Sequence, residues 1–176
     1  AKIVTLDAKT GQRIWEANPI PTDNKISDVV GVVVKIPNGF LFSRSDGVVG
    51  AMKWSAKQRV TNMLWEQTSL GAITTSAYRE GKFFVATNSG SIMCLYGESG
   101  QKRWHKELGF SVSVLFTGES VVYAAGSEGK IVAMSSSDGK ILWHDDIQGT
   151  ISTPPVAFDG KIHFATGLGN LYAYAI

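Results

Sequence analysis

Cysteine is nearly absent. Cys94 is the only one in 176 residues, which excludes an internal disulfide framework but leaves the compartment open, since many periplasmic and extracellular domains lack disulfides. Charge of one sign is missing as well. Seventeen Lys and Arg stand against fifteen Asp and Glu, a formal net charge of +2, with no basic block that would track a phosphate backbone, so nucleic acid is not expected as a partner. No apolar run approaches the ~18 residues that a membrane-crossing helix needs, so no membrane insertion is expected and residues 1–176 should be soluble. No secretory signal is visible. The chain opens on Ala1 inside a strand-like run, which is compatible with upstream sequence, and a leader with it, having been left off. Helical periodicity is not sustained anywhere. With 44% apolar residues, the chain is long enough to form one domain, 1–176, around a sizeable core.

What is present is a repeat. "LDAKTGQRIW" puts Gly11 four residues before Trp15, "YGESGQKRW" puts Gly100 four before Trp104, and "SSDGKILW" puts Gly139 four before Trp143. Trp65 ends a degraded copy, "MKWSAKQRVTNMLW", in which Thr61 stands where the Gly belongs and the connection is longer. A small residue precedes each Trp within an alternating apolar segment: Thr5, Ala51, Cys94 and Ala133, with Ala173 beginning a fifth copy that stops at "GNLYAYAI". Successive Trp residues from Trp65 to Trp143 are 39 apart, which sets the period.

Within one period the signals are those of short strands. "GTISTPPVAF", "GKIHFATG" and "GNLYAYAI" are rich in β-branched and aromatic residues and are bounded by Gly, Asp and Ser. The last period reads as strand A near 150–158, B near 161–166 and C near 170–175, while strand D carries the Trp in the complete copies. Four antiparallel strands in about 40 residues are the pattern of a β-propeller blade, so the expected fold is all-β, with about four blades and boundaries near Trp15, Trp65, Trp104 and Trp143. The Gly of each copy suits a tight C-to-D turn that requires positive φ.

The pattern of a small residue followed by T/S/D-G-x-x-x-W resembles the repeats named after pyrroloquinoline-quinone enzymes, and "LDAKTGQRIW" is the most faithful copy. The resemblance covers nearly the whole chain. It implies that Trp15, Trp65, Trp104 and Trp143 dock between neighbouring blades, supported by Gly11, Gly100 and Gly139. It is specific for fold and weak for function. Such repeats occur in quinone-dependent dehydrogenases, in BamB-type barrel-assembly lipoproteins, and in accessory propellers of acyl-activating enzymes. The chain begins and ends at strand C. Closing on the strand of Trp15 would give a four-bladed ring with one strand C redundant. The favoured expectation is part of a seven- or eight-bladed ring, completed by upstream blades or by a second copy in a homodimer.

Catalytic candidates fail on inspection. The dehydrogenase resemblance implies a quinone held with Ca²⁺, an Asp base, an Arg, a stacking Trp and often adjacent cysteines; this chain has no Cys-Cys pair. Its Trp residues are committed by register to docking, except Trp54 beside the irregular second turn. Asp145 and Asp146 are adjacent, so on a strand they face opposite ways and cannot chelate one ion; they read as solvated turn residues. His105 and His144 follow docking Trp residues in the slot of Glu16 and Glu66, an exposed position, and His163 reads as a half-buried blade residue. Cys94 reads as a buried filler whose thiol is unreactive. No metal-binding spacing, P-loop or dinucleotide motif is present. We therefore expect no catalytic residue, no metal and no cofactor.

Function is then expected on the surface. Two segments break the repeat: "ANPIPTDNKISD" (17–28), with Pro19 and Pro21, and "KWSAKQRVTNM" (53–63), with Lys57 and Arg59. Insertions in repeat proteins map to loops, frequently on the binding face. These four residues are the candidate contacts for a protein partner.

Overall fold

The computed structural model describes residues 3–17, 28–37, 39–55, 60–68 and 70–176. Five antiparallel sheets follow one another along the chain. The first has two strands, β1 (Ile3–Leu6) and β2 (Arg13–Ala17). The second contains β3 (Val34–Ile36), β4 (Gly39–Ser43), β5 (Val49–Ser55) and β6 (Val60–Gln67), in that order across the sheet. The third contains β7 (Ile73–Arg79), β8 (Lys82–Thr87), β9 (Ser91–Tyr96) and β10 (Lys102–Glu107). The fourth contains β11 (Val112–Thr117), β12 (Val121–Gly126), β13 (Lys130–Ser135) and β14 (Ile141–Asp146). The fifth has three strands, β15 (Val156–Phe158), β16 (Lys161–Ala165) and β17 (Leu171–Ala175). Among the described residues the one helical element is a 3₁₀ turn at Ser127–Gly129. The expected all-β blades are therefore present.

Two expectations need correction. Strand A of the last sheet was expected across 150–158 but is confined to Val156–Phe158, because Pro154 and Pro155 just before it have no N–H to give a ladder. The segment 53–63 was expected as a loop. Most of it is strand instead: β5 and β6 run on past the usual turn, pairing Lys53 with Asn62, Trp54 with Thr61 and Ser55 with Val60. The insertion lengthens a hairpin ribbon, so Thr61 replaces no turn Gly.

The second to fifth sheets stack face to face, and each seam between full sheets is apolar. Phe83 and Phe84 are adjacent on β8, point to opposite faces and are both fully buried, Phe83 with Leu41 and Val49 of the second sheet and Phe84 with Val112 and Leu115 of the fourth. Each such side chain contributes roughly 1.5–3 kcal/mol on burial. A third cluster joins Tyr123, Ile131 and Ile151 to Ile162 and Phe164 of the fifth sheet.

Bulges recur at two fixed places. In the strand C–D pairs the residue before each Trp is the extra one: Ile14, Leu64, Arg103 and Leu142. Ile14, Leu64 and Leu142 are thereby thrown outward, and all three are exposed. In the first strands of the third and fourth sheets the extra residues are Thr74 and Ser113. Each donates its hydroxyl to a carbonyl further along the chain, Thr74 Oγ1 to Val112 O on the next sheet and Ser113 Oγ to Ile151 O in the segment that leads into the fifth. A bulge re-aims a side chain out of the ladder, and here it converts a strand residue into a link between sheets.

Candidate functional site

The repeated small residue and Trp of each copy are cross-strand partners. Thr5 pairs with Trp15, Ala51 with Trp65, Cys94 with Trp104 and Ala133 with Trp143. A large side chain opposite the indole would occupy the space into which it turns, which explains the small residue. Cys94 is fully buried there, and burial pushes its thiol up to about 11, away from nucleophilic chemistry at neutral pH.

The indoles of Trp65 and Trp104 then reach the following sheet. Trp65 Nε1 donates to Gly97 O at 3.0 Å, and Trp104 Nε1 donates to Ser136 O at 3.2 Å. The glycines of the C–D turns have two duties. Gly11, Gly100 and Gly139 have φ of 69°, 71° and 73°, the left-handed region that favours Gly. A Cβ on Gly100 would also lie 2.4 Å from the Trp65 ring, and one on Gly139 would lie 2.7 Å from the Trp104 ring. The Gly thus seats the Trp of the preceding sheet, not the Trp four residues later. Sequence spacing carried no sign of this partner swap. Gly11 has open space where a Cβ would go. Trp15 is buried.

Trp143 differs. It is half-buried and stacks on Tyr174 at 5.1 Å between ring centroids, and its indole N–H has no hydrogen bond among the described residues. Beside it lies a cavity of about 540 Å³ lined by Phe116, Tyr123, Trp143, Ala157, Ala175 and Ile176, among others. The corresponding place between the third and fourth sheets, near Lys82, Phe84, Thr117 and Ser136, is closed.

The histidines do not converge. His105 is exposed, but its Nε2 lies 2.6 Å from Ser91 Oγ and 2.8 Å from Glu107 Oε1. One nitrogen serves both partners, whereas a proton relay for acyl transfer needs the hydroxyl and the carboxylate on different ring nitrogens. His144 is exposed. His163 is half-buried and stacks on Phe158 at 4.3 Å, with a buried Nε2 that has no hydrogen-bond partner among the described residues. Asp145 and Asp146 are exposed, as expected, but lie on a strand and not in a turn, and both have partners. Tyr174 donates its hydroxyl to Asp145 Oδ2 at 2.7 Å, and Lys130 Nζ lies 4.0 Å from Asp146 Oδ2. Burial, and then this bond to Asp145, hold the Tyr174 hydroxyl above its ordinary range. Among the described residues no cluster of three or more His, Cys, Asp or Glu is arranged to hold a metal ion.

Sequence reasoning also missed Arg44. Its side chain is buried and paired with Asp46, and its Nε and Nη1 donors have no partner among the described residues. The four loop candidates, Pro19, Pro21, Lys57 and Arg59, lie outside the described residues, and Trp54 is described only as a strand residue of β5.

This geometry of stacked sheets has known counterparts. The outer membrane protein assembly factor BamB of Yersinia pestis is 22% identical over 97% of this chain and 48% of its own length. The tetrathionate hydrolase of Acidithiobacillus ferrooxidans is 24% identical over 89% of this chain and 37% of its own. Among solved structures, BamB from Moraxella catarrhalis superposes with a TM-score of 0.70 over 86% of this chain and 48% of its own, at 18% identity. The chain therefore spans about half or less of the length of these three proteins. The family model described as outer membrane protein assembly factor BamB matches residues 1–106, and with the docked indoles of Trp65 and Trp104 this chain belongs to that family of PQQ-like-repeat β-propellers.

Proposed function

We propose that this chain is a non-catalytic propeller segment that serves as a scaffold for protein–protein interaction. The observation that carries the reading is the family match over residues 1–106 to a protein named for outer-membrane assembly, a role in which a rigid ring presents loops to other proteins. The indoles and the small residues opposite them support it, because they serve the joints between sheets and line no common centre. The partner contacts are assigned to the two segments that break the repeat, with Pro19 and Pro21 on one and Lys57 and Arg59 on the other. The blades form an arc of a seven- or eight-bladed ring, completed by further blades or by a second copy of the chain. Light scattering that finds a compact, closed monomer of residues 1–176 would contradict the arc.

The scaffold role is tested by replacing residues 53–63 with the short turn of the third sheet and measuring binding to purified outer-membrane assembly proteins. Weakened binding with an unchanged circular dichroism spectrum is expected; unchanged binding would refute the assignment to that segment. A second reading is favoured by the tetrathionate hydrolase relative: a segment of an enzyme whose catalytic residues lie elsewhere. Turnover of tetrathionate, or a shifted absorbance band on adding pyrroloquinoline quinone with Ca²⁺, would favour that reading over the scaffold.

A further inference from the structure

Between the third and fourth sheets, both of them four-stranded, lies a groove of about 320 Å³. Its floor is apolar. Phe110 and Val132 are buried in the seam beside Trp104, and Ile141 adds exposed apolar surface. The polar lining follows from strand pairing: His144 is the cross-strand partner of Val132 and Asp146 that of Lys130, so His144 and Asp146 share the face of the fourth sheet that meets the third. Glu107, at the end of β10, lines the groove from the third sheet. The third sheet repeats this pairing with one change. There His105 pairs with Met93 and Glu107 with Ser91, and the Ser91 hydroxyl lies 2.6 Å from His105 Nε2. In the fourth sheet Lys130 takes the place of Ser91 and lies instead 4.0 Å from Asp146 Oδ2, the outer limit of an ion pair. His144 is left with no hydrogen bond or ion pair among the described residues.

We propose that this groove binds the side chain of an arginine presented by a partner protein. Its size is at the small end of the roughly 300–1,000 Å³ of ligand pockets, room for one long side chain and not for a large cofactor. Its charge selects the sign of the occupant. The carboxylates of Glu107 and Asp146 outnumber the one ammonium, Lys130, so a cation is favoured and an acidic side chain would meet two like charges. Glu107 engages His105 through Oε1, which leaves its second oxygen for the occupant. A guanidinium has five donors in a planar fork, and the two carboxylates with the unbonded His144 ring supply acceptors from both walls. The methylene stem of the arginine covers Phe110, Val132 and Ile141. A lysine ammonium is more strongly hydrated and lacks the fork, so it fits less well. The inference rests on the scaffold reading only for the source of the arginine, and it uses neither of the two segments that break the repeat.

The test is an NMR titration of the 176-residue chain with N-acetylarginine amide, read at the backbone amides of Val132 and His144 and at the His144 ring. Saturable shifts are expected there, with binding weaker by about fivefold or more for the citrulline derivative, which keeps the shape and loses the charge. Asp146→Asn, at an exposed strand position, should weaken binding by about threefold, and Lys130→Gln, which removes the competing cation, should tighten it by about twofold. Amide spectra that match the parent chain away from the groove check that both variants are folded. Shifts that do not saturate, that map to another surface or that are equal for citrulline would overturn the proposal. So would an affinity unchanged by either substitution, or a preference for N-acetylglutamate amide. Because the probe is a free amino-acid derivative, this result stands or falls separately from partner binding at residues 53–63.

Discussion

Trp104 and Trp143 hold the same position in successive sheets, yet only one is fully docked. Trp104 is buried, packs against Phe84 at 5.8 Å between centroids, donates to Ser136 O and rests on Gly139. Trp143 keeps the intra-sheet half of that arrangement, packing against Tyr123 at 6.0 Å, but on the far side it has the Tyr174 ring and, among the described residues, neither the carbonyl nor the glycine. An indole position in this fold is therefore two sites in one. The sheet that carries the Trp shapes the near side, through the small cross-strand residue, and the next sheet shapes the far side, through a carbonyl and a glycine. Stability of each blade is in this sense borrowed from its neighbour, as the quasi-one-dimensional physics of repeat proteins requires.

The sharpest way to break the comparison is to truncate both indoles. Trp104→Ala is expected to cost about 3–5 kcal/mol in denaturant unfolding, in the usual range for a buried aromatic. Trp143→Ala should cost distinctly less, since its ring is half-buried and makes no hydrogen bond among the described residues. Equal losses would erase the distinction. Next come the glycines, where one backbone conformation meets two surroundings. Gly139→Ala should cost about 2–4 kcal/mol, from a left-handed residue gaining a Cβ and from the clash with the Trp104 ring. Gly11→Ala, at nearly the same φ but in open space, should cost only about 1–2 kcal/mol.

Smaller effects refine the same picture. Cys94→Ala, which installs the residue that β5 and β13 already use opposite their Trp, should cost about 1 kcal/mol or less, whereas Cys94→Leu should cost about 1–3 kcal/mol by crowding Trp104. The smallest effect is expected from pH. The Tyr174 hydroxyl is held above its ordinary value of 10, so the folded chain favours the protonated phenol. Its contribution is fully present below that value and fades as the pH rises past it. Between about pH 9 and pH 11 the denaturation midpoint should fall more in the parent chain than in Tyr174→Phe. Parallel curves would mean that the bond to Asp145 adds nothing to the fourth joint.

Much of the architecture was legible because a repeat leaves its period in the sequence. The small residue, the Gly and the Trp could be aligned without knowing what each touched, and strands B and C of the last sheet fell close to the expected bounds. The joints were harder to read. Gly139 lies four residues before Trp143 but supports Trp104, and no local spacing encodes a contact made one blade away. The bulges at Thr74, Ser113 and before each Trp were equally silent, since a bulge adds a residue without changing the alternation on either side. The lengthened β5–β6 ribbon was mistaken for a loop because it breaks the repeat spacing, and spacing alone does not tell a longer hairpin from a longer loop. Asp145 and Asp146 were misjudged for a related reason: their partners, Tyr174 and Lys130, come from other strands.

The claim at the centre of this account is that successive sheets are locked by indoles donated forward to the next turn. Hydrogen exchange of the five indole N–H groups, followed by NMR with assignment through single Trp→Phe variants, reads this directly. Slow exchange is predicted for Trp65 and Trp104, which donate to Gly97 O and Ser136 O, with fast exchange for Trp143. Fast exchange at Trp65 and Trp104, or protection of Trp143 equal to theirs in the free chain, would contradict it.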